Sequence, residues 1–344
     1  PPPSRRGEVV VEGHPVGRIE GFDFLPDPLT EGEARKLVLR AARRALREEM
    51  PRRVARLEGE PDSAFALLPS LRICWDGAPI ARLRAGPSAL RPHIEVRESE
   101  FLDGRQRERV RLRLQRFLDD HIGGLLGPLL AAQAAGDSDP ALRGPLHRLV
   151  EQLGIVPHAL DDAIPQPLRG KLNSLGARAG RYALFVPALL KPRPSALRAA
   201  LWSLRHGATL PDLPAPGLVS VAPPPDWPEG FALAMGWVDA GPVLLRLDIA
   251  EKIAAELVWS SRGQPMAVPL GLASRLSMKA ENLPAVLRRL GFRFFPAVAL
   301  PDGAVGPPAP PMMALMRRRR PDPDRPGPAA AHDGPFAALA ALRR

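Results

Sequence analysis

Proline sets the outer limits of this fold. The chain carries 43 prolines in 344 residues, and they gather at both ends and between residues 211 and 228, where seven occur. A proline donates no backbone hydrogen bond and disfavours helix in the residue before it, so such stretches interrupt helices and central strands. The packed parts are therefore expected between them. Residues 211–235 are expected as a Pro-rich connector and 301–344 as a flexible Pro/Arg-rich tail. The remaining length suffices for two or three domains, each with its own core.

Those cores must be aliphatic, because hydrophobic residues make up 45% of the chain and aromatic ones only 5%. Basic residues outnumber acidic ones, 48 to 37, for a formal charge of +11. Such a surface attracts polyanions and releases counterions when it binds them. Only five of the basic residues are lysine. A GC-rich coding sequence accounts for Arg over Lys, but not for Arg over Glu. The single cysteine, Cys74, precludes an intramolecular disulfide and any thiolate-rich zinc site, and its neighbours Ile73 and Trp75 read as a buried strand. The longest weakly polar run, from Ile122 to Ala135, is broken by Gly and Pro and is too short to span a bilayer. No signal-peptide pattern opens the chain, so the reading is cytoplasmic, with no membrane partner. The opening Pro-Pro-Pro-Ser-Arg-Arg lacks a methionine and reads as a cut from something longer.

Between the punctuated ends the pattern is α+β and mostly helical. Residues 1–100 read as a small hairpin-containing α/β module. Val9–Val11 and Gly17–Leu25 cluster like strands around Gly13-His14-Pro15. Thr30 and Glu33 fit a capping box for a helix running to about Met50, with Leu37, Val38, Ala41, Ala42 and Ala45 as its apolar stripe. A second hairpin signal at 71–96 echoes the first: Gly77-Ala78-Pro79-Ile80-Ala81-Arg82-Leu83 aligns with Gly13-His14-Pro15-Val16-Gly17-Arg18-Ile19. The echo suggests pairing within one sheet. Residues 101–210 read as a helical domain. It opens with the basic run Arg105–Arg111 on a helix from Gly104 to Ala135, followed by short helices and one strand, Tyr182 to Val186.

Residues 236–300 hold the clearest local signal. A helix from Ile249 to Trp259 turns Ile253, Leu257 and Val258 inward; a short helix follows from Leu270 to Leu276, then the turn Ser277-Met278-Lys279. A third helix ends at Arg288-Arg289-Leu290-Gly291, and Phe292 to Phe295 returns as a strand. That order is a winged helix, whose last helix can enter a nucleic-acid groove. The same fold also serves as a packing module. Pro284 obliges the last helix to begin near Asn282. Contact residues would be Arg275, Lys279, Asn282, Arg288 and Arg289, with Arg105, Arg109, Arg317 and Arg318 as further phosphate contacts. The Leu-Gly ending at Leu290-Gly291 recurs at Leu175-Gly176, which reads either as a weaker upstream copy or as an ordinary helix stop.

Catalytic patterns are missing. Gly170-Lys171 lacks the upstream glycine and following Ser or Thr of a phosphate loop. His93-Ile94-Glu95 lacks the paired cysteines of a zinc deaminase. Asp119-Asp120-His121 reads as a solvated helix end rather than as the acid–base set of a hydrolase. No catalytic residue, metal site or cofactor is assigned to this chain. The segment from Phe336 to Leu342 has the size and apolarity of a docking peptide for a protein partner, and equally of a frayed end.

Three stretches carry a family resemblance: Gly13-His14-Pro15-Val16-Gly17-Arg18-Ile19-Glu20-Gly21-Phe22, then Leu175-Gly176 through Pro187-Ala188-Leu189-Leu190-Lys191-Pro192, then Pro335-Phe336-Ala337-Ala338-Leu339. In order along the chain, they resemble the C-terminal half of the helicase-related proteins of alphaproteobacteria. Those are superfamily-two ATP-dependent helicases whose motor is similar to that of the mitochondrial RNA-degradosome helicase. The resemblance implies two motor domains upstream, binding ATP and magnesium, with this chain as an accessory region in cis that guides RNA or DNA. A scaffold recruiting a nuclease or repair partner through the tail is the alternative.

Overall fold

A computed structural model describes residues 7–11, 14–26, 33–157, 164–261, 263–299 and 305–316. Strands β1 (Glu8–Val11), β2 (His14–Glu20) and β3 (Asp23–Pro26) form an antiparallel sheet in that order. Helix α1 (Glu33–Gly59) follows, and then a four-stranded meander of β4 (Phe65–Leu67), β5 (Arg72–Trp75), β6 (Ala78–Ser88) and β7 (Arg91–Val96). The two echoing hairpins therefore lie in separate sheets, contrary to the expected single one. They meet through a turn: Arg53 Nε donates to the Gly21 carbonyl (2.6 Å), Ser99 Oγ to that of Phe22 (2.6 Å), and the rings of Phe22 and Trp75 sit 5.9 Å apart. Cys74 lies buried in β5, as its neighbours suggest, and burial pushes its thiol pKa up.

Helix α1 runs nine residues past the expected end at Met50, straight through Pro51. An interior proline costs about 3 kcal/mol. Against it stand Leu46, Met50, Val54 and Leu57, all buried on one face, each contributing roughly 1.5–3 kcal/mol. Packing wins, and the buried stripe is this one; Ala45, assigned to it from the sequence, is exposed. Thr30 lies outside the described residues.

Helix α2 (Gly104–Ser138) starts at a true capping box: Gln106 N–H donates to Asp103 Oδ1 (2.7 Å), and Asp103 N–H to Gln106 Oε1 (3.0 Å). It breaks at Leu126 (φ −114°, ψ 21°), because Pro128 has no N–H for the carbonyl of Gly124.

From here the chain repeats one arrangement three times. Helix α3 (Pro140–Glu151) leads into β8 (Ile155–Pro157), α4 (Gln166–Ser174), β9 (Arg178–Ala179) and β10 (Ala183–Phe185). Helix α5 (Pro192–His206) leads into β11 (Ser220–Val221), α6 (Phe231–Ala234), β12 (Trp237–Asp239) and β13 (Leu244–Arg246). Helix α7 (Leu247–Ser261) leads into β14 (Met266–Ala267), α8 (Leu272–Arg275), α9 (Leu283–Arg289), β15 (Phe292–Phe295) and β16 (Met312–Leu315). Each unit closes an antiparallel three-stranded sheet with its last strand in the middle: β8-β10-β9, β11-β13-β12 and β14-β16-β15. In each, a positive-φ glycine joins the helix before the second strand to that strand: Gly176 (75°), Gly236 (86°) and Gly291 (91°). At Gly236 a Cβ would come within 2.4 Å of Leu190 Cδ2, so backbone conformation and close approach both demand glycine there.

Two expected boundaries fail. Residues 211–235 are no free connector: β11 pairs into the second sheet, Pro211 is buried, Trp227 Nε1 donates to the Asp212 carbonyl (3.2 Å), and the Trp227 ring meets Phe231 edge-on. Nor does a flexible tail begin at 301, since β16 is the central strand of the third sheet and Met313 is fully buried in its core. Residues 317–344 lie outside the described residues.

Two polar clusters join the units. Arg198 of α5, wholly buried, donates to the carbonyls of Leu153 (2.5 Å), Leu189 (3.3 Å) and Ala234. Burial pushes its pKa down to about 9, so it stays charged at neutral pH. The carboxylate of Glu251 on α7 accepts from the backbone N–H groups of Arg181 (2.6 Å), Tyr182 (2.7 Å) and Ala183 (3.3 Å), and the Tyr182 hydroxyl donates to the Leu290 carbonyl (2.9 Å).

Met313→Ala should destabilise the chain by about 2–5 kcal/mol in urea unfolding, the usual cost of truncating a core methionine. A value near zero would mean that β16 does not complete the core. Arg198→Met should cost on the order of 3 kcal/mol or more, since it leaves buried carbonyls without donors; an unchanged unfolding midpoint would refute that role.

Candidate nucleic-acid interface

The third unit carries most of the expected contact residues. Gly271 (φ 74°) delays its second helix to Leu272, leaving Leu270 in solvent rather than at the helix start. Ser277 adopts φ 51° and turns the chain into Lys279. A short 3-10 turn over Ala280–Asn282 precedes α9, and Pro284 falls in the first turn, where its missing N–H costs nothing. Val286, Leu287 and Leu290 are buried and Leu283 is packed against them, so Arg288 and Arg289 are left on the outer side.

The structure separates the expected cations by what already holds them. Arg275 is committed: its guanidinium makes two bonds to Glu256 on α7 (2.8 and 2.6 Å), which holds the Glu256 carboxyl below its ordinary range. Arg109 is likewise spent, paired through two bonds with Glu58 at the end of α1. Both were expected to reach for phosphate, and both face carboxylates that lie far from them in sequence. Lys279 is 80% exposed, 3.6 Å from Glu281; Arg289 is 62% exposed, 3.9 Å from Asp239. These are loose pairs in water and hold little. Arg288 and Arg105 are exposed and make no ion pair among the described residues. Asn282 is half-buried at the N-terminal cap of α9 and makes no capping bond there. Arg317 and Arg318 lie outside the described residues, directly after Met316.

One cation went unnoticed in the sequence. Arg293 on β15 is exposed, with its guanidinium 4.9 Å above the Phe295 ring; it is the lone charge in Phe-Arg-Phe-Phe, the pattern of a residue turned away from a buried face. The third hairpin also differs from the other two. Sixteen residues, 296–311, separate β15 from β16, with a bridge between Val298 and Ala309, whereas three separate β9 from β10 and four separate β12 from β13. The first hairpin is covered, its turn amides seated on Glu251.

Of the discounted catalytic patterns, Asp119-Asp120-His121 lies in the middle of α2 rather than at the solvated helix end expected from the sequence, with both aspartates exposed and His121 half-buried. Lys171 pairs with Asp139 (2.6 Å), and Glu95 accepts from Arg82 and Arg84, which lower its pKa to about 2. His121 packs against Phe117, and burial lowers its pKa. Among the described residues, no cluster of three His, Cys, Asp or Glu side chains is placed to hold a metal ion, and no helix is long and apolar enough to cross a membrane. The docking segment from Phe336 falls outside the described residues. Comparison with protein-family models, with characterised proteins and with solved structures finds no match.

A double-mutant cycle between Arg275 and Glu256 should give a coupling of about 0.2–1 kcal/mol at pH 7. Because the folded pKa of Glu256 is depressed, that stabilisation is present above the ordinary carboxylate range and lost as pH falls through the folded value. The cycle repeated at pH 3 should show less coupling. Equal coupling at both values would show that the pair is not ionic.

Proposed function

We propose that this chain is a nucleic-acid-binding accessory region of an ATP-dependent helicase, guiding RNA or DNA relative to a motor, and that its third unit is a winged helix. The observation that carries the reading is the order of that unit: helix, strand, short helix, turn, helix, then a long hairpin whose last strand lies between the other two. A winged helix presents its last helix and its hairpin to the nucleic acid together. Here that helix exposes Arg288 and Arg289, the turn before it exposes Lys279, and the first strand of the hairpin exposes Arg293.

The contact set is narrower than the one read from the sequence. Arg275 and Arg109 belong to internal ion pairs. The first two units repeat the topology with short hairpins, the first of them seated on Glu251. ATP and magnesium would belong to the motor, to which no residue here is assigned.

Neutralising Lys279, Arg288 and Arg289 together as Gln should weaken binding about equally for all sequences. The slope of log affinity against log salt should fall by roughly two to three. Arg275→Gln should leave that slope unchanged. A folded triple variant that binds single- and double-stranded oligonucleotides as the parent does would make α9 a packing element and overturn the assignment.

A further inference from the structure

An open cleft of about 1030 Å³ runs between the C-terminal end of α4, β9 and the first half of α7. Its walls carry Asn173, Arg178, Asp248, Glu251 and Lys252. Both carboxylates are already taken. Glu251 is turned onto the amides of residues 181–183; Asp248 is held by Arg246 through two bonds (2.7 and 3.1 Å) and accepts the Ile249 N–H (3.0 Å). Arg178 and Lys252 are exposed and make no ion pair among the described residues. Each wall thus offers one exposed cation, Arg178 on one side and Lys252 on the other, while Glu251, bonded only to neutral amides, keeps its negative charge turned onto the hairpin.

Along α7 the same helix face continues. Ala255 lines the cleft, and Trp259 comes one turn later; residues three and four apart share a face. The Trp259 side chain stands in water at 77% exposure and has no ring partner among the described residues. The other four tryptophans differ. Trp75, Trp202 and Trp237 are buried, and half-buried Trp227 is held by Asp212 and Phe231. Seven residues of helix separate Lys252 from Trp259, roughly 10 Å. Cations on two walls with a free indole beyond them match the two needs of an unpaired strand, phosphate neutralisation and a face on which a base can stack. A duplex offers no free base face to a side chain on a convex helix.

We propose that the α4–α7 cleft and Trp259 form a second binding surface, specific for single-stranded nucleic acid, with phosphates at Arg178 and Lys252 and a base stacked on Trp259. The proposal rests on the nucleic-acid reading above, but uses different residues: Lys279, Arg288 and Arg289 do not line the cleft.

The test follows tryptophan emission of the full chain during titration with a single-stranded homopyrimidine oligonucleotide and with a duplex of equal length. The single strand should quench the exposed tryptophan, and the duplex should not. Trp259→Ala should abolish the quench and weaken single-strand affinity by roughly tenfold, with an unchanged unfolding midpoint. Arg178→Gln with Lys252→Gln should lower the salt slope for the single strand by about two. The Lys279, Arg288 and Arg289 triple variant should keep the quench. An equal quench by duplex, or full single-strand affinity in a folded Trp259→Ala variant, overturns the proposal. If Trp259→Ala binds normally while the triple variant is weakened, the α9 reading stands and this one falls. Absence of any nucleic-acid binding by the parent chain removes both.

Discussion

A guanidinium buried without a carboxylate is the constraint around which the repeated half of this chain is built. Arg198 cannot shed its charge near neutral pH, and leaving it unsolvated and unbonded would cost several kcal/mol. Its solvation shell is supplied by three carbonyls, from the turn after α3, the short 3-10 turn after β10, and α6. Each must aim its dipole inward, so one side chain fixes the end of the first unit's opening helix against the second unit's last one. Glu251 does the converse with an anion. Three successive N–H groups of the first hairpin close around its carboxylate, and the third unit is thereby set against the first.

Many of the basic side chains are paired with carboxylates of the same chain. Arg43, Arg44, Arg52, Arg56, Arg109, Arg111 and Arg113 all face carboxylates on α1, α2 or the loops beside them. Exposed pairs of this kind contribute little stability each, yet they quiet the field of the helices that look most basic in the sequence. Uncompensated cations survive at scattered places, and those in the third unit and in the cleft beside it coincide with shapes that can use them.

How much of this was legible depended on how far apart in sequence the partners lie. The meander strands, α2, the buried Cys74 strand and the α8–α9 turn follow from local periodicity and turn residues. The Leu-Gly ending shared by Leu175-Gly176 and Leu290-Gly291 was visible, but Met235-Gly236 hides the middle copy behind a substitution. Strand β16 escaped because its four residues follow a Pro- and Gly-rich stretch with the composition of a tail; only its partners β14 and β15 make it a strand. Arg275 looked available because Glu256 sits 19 residues away, on a different helix. Trp259 was read as the end of an inward-facing helix, and nothing in a single sequence says which side of a helix end is left uncovered.

The last-strand-central arrangement of all three sheets also bears on how the chain can be made. A ribosome releases residues in order, so each sheet stays an open pair of edges until its final strand emerges. The first unit can close after about residue 185 and the second after about 246, while the third must wait through its long hairpin for Met312–Leu315. Even the first unit is provisional until Glu251 emerges, because the carboxylate that seats its hairpin arrives 68 residues behind Ala183. Synthesis would proceed as a ratchet in which each of the first two units is locked by the opening helix of a later one.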